Sequence, residues 1–233
     1  MARGAAFVAG ATGYTGRAVV ERLVADGFEA VAHVRPDSSR LASERERFAT
    51  AGATVDTTPW DEAAMTETLR KLAPVAVFGL LGTTRAREKR EGKEPGAAGY
   101  EAVDYGLTAL LLRAAKASGV RPRFIYLSAA GARAGASAYM AVRARIEREL
   151  AASGLPWYAA RPAFISGPDR EEKRTGEHLM SGLLDGVLKV AGRRARDRWA
   201  SMDAPTLARG LVRLVTDPTP DRVVAADELR RDS

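Results

Sequence analysis

The sequence contains no cysteine and only two histidines, His33 and His178, among its 233 residues. Without cysteine, the chain cannot form a disulfide scaffold, a thiolate metal site or a cysteine nucleophile, and two histidines argue against a multi-histidine metal centre. No stretch of the sequence approaches the run of about 20 apolar residues that a membrane-spanning helix needs. These absences predict a soluble, unprocessed, cytoplasmic protein with no metal site and no membrane contact.

Lysine is also scarce, because only 6 of the 36 basic residues are Lys and 30 are Arg. The net charge is +7 and the isoelectric point is near 10.0. Acids interrupt both basic clusters, and neither cluster has aromatic residues spaced to stack on bases. We interpret the excess charge as solvated surface, with binding of an acidic ligand or a polyanion such as nucleic acid as the alternative. The two clusters are Arg85, Arg87, Lys89, Arg90 and Lys93, and Arg193, Arg194, Arg196 and Arg198.

What the chain does have is an ordinary globular composition, with 46% hydrophobic and 28% charged residues. Short apolar runs alternate with longer amphipathic segments, which predicts βαβ units and a parallel sheet of about seven strands in one domain over 1–233. The predicted strands are Ala5–Ala9, Glu29–Val34, Thr54–Thr57, Val75–Leu81, Arg123–Ser128, Trp157–Arg161 and Val223–Ala226. The predicted helices are Thr15–Ala25, Arg40–Thr50, Glu62–Leu72, Tyr105–Ala117, Met140–Ala152, Glu177–Val190 and Pro205–Thr216.

A glycine-rich turn joins the first predicted strand to the first predicted helix. Gly10 allows a tight turn, Gly13 allows the backbone to approach a pyrophosphate, and Gly16 allows the helix to pack closely on the sheet. Free amide groups at the start of the helix would face the phosphates. The neighbouring Thr12, Tyr14 and Thr15 belong to the same predicted binding turn. This context predicts a dinucleotide site.

Five segments, which together span most of residues 4–166, match one known superfamily: Phe7–Arg17, Val77–Arg85, Val103–Gly106, Phe124–Ala132 and Arg161–Ala163. In these segments the sequence resembles the short-chain dehydrogenase/reductase superfamily in its extended and atypical branches. Within the superfamily, the chain is most similar to the oxidoreductase branch that includes the human Tat-interacting protein, with the NmrA-like proteins as neighbours. The resemblance implies a three-layer, doubly wound Rossmann-type fold with strand order 3-2-1-4-5-6-7.

The same resemblance implies which further residues contact a nicotinamide cofactor. Leu81, Gly82 and Thr83 match the segment that passes the riboses and the nicotinamide side. The segment of Arg161, Pro162 and Ala163 matches the one whose backbone meets the nicotinamide amide.

Cofactor preference is predicted from the end of the second strand. Arg35 stands where an acid would bind the ribose hydroxyls of NAD, and an arginine there offers a charge-assisted partner to the 2′-phosphate of NADP. Arg40 could close the other side of that phosphate. We therefore expect NADP(H) rather than NAD(H), with a surface role for Arg35 as the alternative.

Catalytic members of the superfamily use a Ser, a Tyr and a Lys four residues after the Tyr. The Tyr is the acid or base for the substrate oxygen, the Ser polarises that oxygen, and the Lys favours the tyrosinate. Ser128 and Tyr139 match the first two positions, and Arg143 stands where the Lys is expected. Three interpretations of Arg143 are open. It replaces the Lys in catalysis, it is a surface residue paired with Glu147 one helical turn later, or it marks a protein that binds the dinucleotide without turning it over.

Two functions follow from the resemblance. The first is an NADPH-dependent oxidoreductase or epimerase-like enzyme acting on a small carbonyl or hydroxyl substrate, with Ser128, Tyr139 and Arg143 in the catalytic site. The second is a non-catalytic, NADP(H)-sensing regulator of the NmrA-like type, with a homodimer or another protein as its partner. The region 167–204 is predicted to form a short substrate cover.

Overall fold

The computed structural model describes residues 3–82, 99–166 and 201–231. In these residues a seven-stranded sheet has the order β3-β2-β1-β4-β5-β6-β9, and every neighbouring pair is parallel. A second, two-stranded parallel sheet pairs β7 with β8. The strands are β1 (Ala5–Ala9), β2 (Glu29–His33), β3 (Thr54–Asp56), β4 (Ala76–Gly79), β5 (Arg123–Leu127), β6 (Trp157–Arg161), β7 (Phe164–Ser166), β8 (Ser201–Asp203) and β9 (Arg222–Ala225).

Helices follow most of the strands, as parallel crossovers require. They are α1 (Tyr14–Ala25), α2 (Leu41–Thr50), α3 (Glu62–Leu72), α4 (Tyr100–Leu107), α5 (Thr108–Ala117), α6 (Ala138–Ala151), α7 (Ala204–Arg213) and α8 (Ala226–Leu229). Helix α4 is a π-helix that runs directly into α5. Side-chain caps start three of the helices, because Asp61, Ser137 and Asp203 accept hydrogen bonds from backbone amides in the first turns of α3, α6 and α7.

The core lies on both faces of the sheet, which makes the fold a three-layer α/β/α arrangement. All five residues of β1 are buried, as expected for a central strand of a parallel sheet. One face is covered by α1, α2 and α7 through residues such as Leu23, Phe48 and Leu211. The other face is covered by α3, α5 and α6 through residues such as Met65 and Ile146.

The predicted fold class and strand order are confirmed, and most element bounds agree within two residues. The helix predicted from Tyr105 begins earlier, at Tyr100, because the wide π turn breaks the 3.6-residue period that predicted it. Strands β7 and β8 and helix α8 were not predicted, since runs of three or four residues carry little periodic signal. The predicted helix Glu177–Val190 lies outside the described residues.

The topology brings the predicted site residues to one edge of the sheet. The strand order reverses between β1 and β4, and in such sheets ligands bind outside the carboxyl ends of the strands at that switch point. Gly10 follows β1, Arg35 follows β2, Gly82 follows β4, and Ser128 follows β5. Arg161 ends β6 at the same edge.

Candidate dinucleotide and catalytic site

The glycine turn has the geometry of a phosphate cradle. Gly10 has a φ of +86°, and a Cβ atom there would lie 2.6 Å from the Leu80 carbonyl oxygen. A Cβ atom on Gly16 would lie 2.1 Å from the Gly10 carbonyl oxygen. A Cβ atom on the exposed Gly13 would approach only that same oxygen, at 3.3 Å, so its outer side is open. The turn therefore needs glycine for packing at Gly10 and Gly16, and at Gly13 it leaves room for a ligand.

The start of α1 is suited to an anion. Gly13 is its N-cap and provides no side-chain cap, and the first turn of the helix contains no acid. Its amide groups and the positive end of the helix dipole would favour a phosphate. The Tyr14 hydroxyl donates a hydrogen bond to the Ser166 carbonyl oxygen at 3.1 Å, and Thr15 is buried. Thr12 is half-buried in the turn. The open side of Gly13 and the absence of an acid make this turn suited to an anionic group such as a pyrophosphate.

Two arginines lie beside the end of β2. Arg35 is exposed, and its Nε lies 3.8 Å from the carboxylate of the exposed Asp37. Arg40 is the exposed N-cap residue of α2. Both guanidinium groups are accessible to an anionic ligand. On the neighbouring helices, the structure adds an ion pair that the sequence did not indicate, in which Arg17 donates to the buried Glu44 carboxylate at 2.6 Å.

The segment after β4 covers a buried ion pair. Gly82 is exposed, and a Cβ atom there would lie 3.1 Å from the Arg143 guanidinium and 3.5 Å from the Asp104 carboxylate. The Leu81 carbonyl oxygen lies 3.5 Å from the same guanidinium. Thr83, the third residue predicted in this segment, lies outside the described residues.

Arg143 is buried and pairs with Asp104 rather than with Glu147. Its guanidinium donates to the Asp104 carboxylate at 2.7 Å, to the Leu127 carbonyl oxygen at 2.7 Å and to the Tyr126 hydroxyl at 3.1 Å. The surface-pairing interpretation of Arg143 was therefore wrong, because tertiary contacts between α4 and α6 replace the one-turn pair on the helix.

Neighbouring polar groups outweigh the effect of burial on the pKa of Arg143. Desolvation alone would lower the pKa of Arg143, but Tyr126, Tyr139 and Asp104 together raise that pKa above its usual value. Burial raises the pKa of Tyr126 to about 12, so this phenol is neutral at physiological pH. Arg143 is therefore a fixed cation, and the Asp104 carboxylate lies in direct contact with it.

Tyr139 packs over this cation. The Arg143 guanidinium carbon lies 4.9 Å from the centre of the Tyr139 ring. The Tyr100 ring packs edge to face on the Tyr139 ring, with 5.4 Å between the two ring centres. Because Arg143 also holds the carbonyl of Leu127, it links Tyr139 to the strand end where Ser128 follows.

Ser128 is buried, and its hydroxyl donates to the Glu147 carboxylate at 2.5 Å. Arg161 binds both oxygens of that carboxylate, at 2.9 and 2.5 Å, and this hydrogen bonding raises the pKa of Arg161. The Pro162 carbonyl accepts a hydrogen bond from the Ala130 amide at 3.0 Å, and Ala163 is half-buried beside it.

The sequence did not indicate the roles of Asp104 and Glu44 or the true partners of Glu147. Asp104 lies in a segment that carried the family resemblance, but no role was assigned to it. Asp104 directly precedes the predicted helix Tyr105–Ala117, so the helical pattern gave no sign that it is buried. Its partner is 39 residues away, and no local spacing reveals such a contact.

Several other predictions concern residues that the structure does not describe. Both basic clusters lie in the gaps 83–98 and 167–200, as does nearly all of the predicted substrate cover. Across the described ranges there is no cluster of three or more His, Cys, Asp or Glu side chains suited to a metal ion. In the same ranges, the helices are too short or too polar to cross a membrane.

Comparisons with known proteins give the family. The family model described as NAD(P)H-binding matches residues 10–190. A curated relative from Scheffersomyces stipitis, named Protein FMP52-1, mitochondrial, is 30% identical over 186 residues, which cover 79% of this chain and 75% of the relative.

Solved structures share the fold. WbmH from Bordetella bronchiseptica, solved in complex with NAD⁺, has a TM-score of 0.67 and 18% identity, over 94% of this chain and 74% of that one. A short-chain dehydrogenase/reductase family oxidoreductase from Burkholderia thailandensis has a TM-score of 0.65 and 15% identity, over 96% and 91% of the two chains.

One prediction is contradicted by these relatives. The sequence predicted a cytoplasmic protein, whereas five curated relatives are all named as mitochondrial proteins. A lack of cysteine indicates redox conditions only weakly, and the interior of an organelle can also be reducing, so composition could not separate these compartments. The glycine cradle, the sheet order and the family match agree, and the chain belongs to the NAD(P)H-binding family as an atypical member of the short-chain dehydrogenase/reductase type.

Proposed function

We propose that the protein binds NADPH and interconverts a small carbonyl compound and its alcohol, with Tyr139 as the acid or base and Ser128 as the second contact to the reacting oxygen. The observation that carries this proposal is the position of Arg143. Its guanidinium lies under the Tyr139 ring and also holds the Leu127 carbonyl beside Ser128. A single fixed cation therefore contacts both the Tyr139 ring and the strand end that Ser128 follows.

The cofactor would lie across the carboxyl ends of the strands. The turn Gly10–Gly16 would hold the pyrophosphate, and Arg35 and Arg40 the 2′-phosphate. The backbones of residues 81–83 and 161–163 would line the nicotinamide half. When bound, the nicotinamide supplies or accepts the hydride. The chain itself positions the substrate oxygen and exchanges a proton with it at the Tyr139 hydroxyl. Residues 167–204 would cover the substrate within a single domain.

The proposed acid or base role is tested by Tyr139→Phe. The substitution removes only the hydroxyl, so we expect turnover to fall about a hundredfold or more, while NADPH affinity stays within about twofold. Initial rates on a panel of small aldehydes and ketones, together with fluorescence titration of NADPH, give the two quantities. Tyr105→Phe is the matched control, because Tyr105 bonds Glu149 away from the strand ends. Unchanged turnover in Tyr139→Phe would remove Tyr139 from the mechanism.

The proposed preference for NADPH is tested by Arg35→Ala. A charge-assisted hydrogen bond to the 2′-phosphate contributes roughly 1.5–3 kcal/mol, so NADPH affinity should fall by about tenfold or more. NADH affinity should change little, because NADH lacks that phosphate. Fluorescence titration with both cofactors measures the ratio, and the exposed Arg70, on α3, supplies the control variant Arg70→Ala. Equal losses for NADPH and NADH would show that Arg35 does not bind the 2′-phosphate.

A second candidate function is a non-catalytic NADP(H) sensor of the NmrA-like type, acting through a homodimer or another protein partner. Two contacts favour it. Asp104 neutralises the Arg143 cation beneath Tyr139, and Glu147 accepts the hydrogen bond that the Ser128 hydroxyl donates. A sensor would bind NADPH and NADP⁺ without reducing any carbonyl on the panel, and its association state would change with the cofactor. Robust reduction would exclude this candidate.

A further inference from the structure

The Ser128 hydroxyl has one proton, and the structure shows which atom receives it. The Oγ atom lies 2.5 Å from Oε1 of Glu147, within the range of a strong hydroxyl–carboxylate hydrogen bond. In the described part of the chain, this is the one side-chain hydrogen bond of Ser128. Its backbone amide bonds the Ala160 carbonyl at 2.8 Å, which holds the residue in place at the end of β5.

Glu147 can only accept in this contact, because it is held as a carboxylate. The Nε and Nη2 atoms of Arg161 bind its two oxygens at 2.9 and 2.5 Å, and the Glu147 side chain is 9% exposed. An ionised carboxylate has no proton to give, so the proton in the contact with Ser128 belongs to the serine. The cation is itself fixed, because Arg161 ends β6, next to β5 in the sheet.

We infer that the Ser128–Glu147–Arg161 chain turns Ser128 into a hydrogen-bond acceptor toward the site, so that the protein takes the proton-donating, hydroxyl form of its ligand in preference to the carbonyl form. Once the single proton points to Glu147, only the lone pairs of the Ser128 oxygen remain for a ligand. An alcohol can donate to those lone pairs, whereas a carbonyl oxygen meets another acceptor. Glu147 is then a positioning residue that selects the ligand through Ser128. This inference rests on the proposed function, since it assigns a ligand class to the same site.

The variant Glu147→Gln reverses the polarity with little change in shape. Arg161 has only donors, so its Nη2 would hold the oxygen of the new side-chain amide, and the present contact of its Nε with Oε1 would be lost. The nitrogen of that amide would then face Ser128 and donate to its oxygen. The Ser128 proton is thereby released toward the site, where it favours a carbonyl acceptor. A residue with a purely structural role would change the binding of both ligand forms together.

The test uses unreactive ternary complexes of the full chain, in which turnover cannot occur. Cyclohexanol is titrated into the protein saturated with NADPH, and cyclohexanone into the protein saturated with NADP⁺. Wild type should bind the alcohol more tightly than the ketone, and Glu147→Gln should shift this ratio toward the ketone by about tenfold, the effect of one hydrogen bond. Glu149→Gln, on the outer side of the same helix, is the matched control and should leave the ratio unchanged. An unchanged ratio in Glu147→Gln would overturn the inference.

Ser128→Ala keeps the inference testable if Glu147→Gln does not fold. Removal of the acceptor oxygen should lower the affinity for cyclohexanol by about tenfold and leave the affinity for cyclohexanone unchanged. Loss of ketone binding with retained alcohol binding would show that Ser128 donates, and would overturn the inference.

Neutron diffraction from deuterium-exchanged crystals gives a direct answer without cofactor. A deuteron between Ser128 and Glu147 supports the inference, and a deuteron directed into the site contradicts it. Failure of the protein to bind NADPH would overturn the proposed function alone, because the deuteron is located without any ligand.

Discussion

Replacement of Gly16 by alanine is expected to destabilise the protein by about 3 kcal/mol or more and to abolish NADPH binding. The new Cβ atom would lie 2.1 Å from the Gly10 carbonyl oxygen and 2.8 Å from the Ala11 Cα atom. Both neighbours are backbone atoms, so no flexible side chain can move aside. The turn and the start of α1 would have to separate, and the cradle would open. Urea unfolding gives the stability change, and fluorescence titration gives the NADPH affinity.

Replacement of Gly13 by alanine separates binding from stability. Gly13 has a φ of −77°, which alanine adopts freely, and its Cβ atom would meet only one carbonyl oxygen, at 3.3 Å. We expect a stability loss below about 1 kcal/mol, but a fall in NADPH affinity of about tenfold or more, because the methyl group would occupy the open side of the turn. Gly106→Ala is the matched control, since its Cβ atom also meets one carbonyl oxygen at 3.3 Å, away from the turn. Undiminished NADPH binding in Gly13→Ala would show that the pyrophosphate does not contact this turn.

The parts of the fold that could be predicted from sequence are those with a local signal. A buried apolar run such as Ala5–Ala9, followed by glycines at fixed spacing, specifies a strand, a turn and a helix within about twenty residues. The alternation of such units then restricts the sheet to few topologies, since parallel crossovers have one favoured hand. The strand order itself was implied by the resemblance to the short-chain dehydrogenase/reductase superfamily, since no contact between strands is visible in the sequence.

The polar partners in the site could not be predicted, because they depend on tertiary contacts. The four-residue spacing predicted Glu147 as a partner of Arg143, and both residues do occupy buried positions of α6. Their side chains diverge, because Asp104 approaches Arg143 from α4 while Arg161 approaches Glu147 from β6. A spacing of four residues indicates only which groups share a helix face. The charged partner of each group lies far along the chain, because Arg161 is 14 residues from Glu147 and Asp104 is 39 residues from Arg143.

Loss of the Arg143 cation is expected to cost about 3–5 kcal/mol of stability, because it removes the cation that pairs with a buried carboxylate. In Arg143→Met the Asp104 carboxylate, whose side chain is 0% exposed, would lose the guanidinium that lies 2.7 Å away. The Leu127 carbonyl and the Tyr126 hydroxyl would lose a donor in the same step. Urea unfolding of wild type and variant measures the cost. Arg145→Met is the control on the same helix, because Arg145 is 46% exposed and its pairs with Glu101 and Glu149 contribute less than about 1 kcal/mol each.

The double variant Arg143→Met, Asp104→Leu identifies the source of that cost. If the penalty comes from the loss of the cation beside the Asp104 carboxylate, then removal of the carboxylate as well should recover part of the stability, even though a second native group is lost. If the penalty comes from lost packing around Tyr139, the double variant should be less stable than Arg143→Met alone. A cost in Arg143→Met no larger than in Arg145→Met would contradict the buried pair itself. For the same reason we expect lysine to be a poor substitute here, since one ammonium group cannot reproduce the planar fork that bonds Asp104, Tyr126 and Leu127 together.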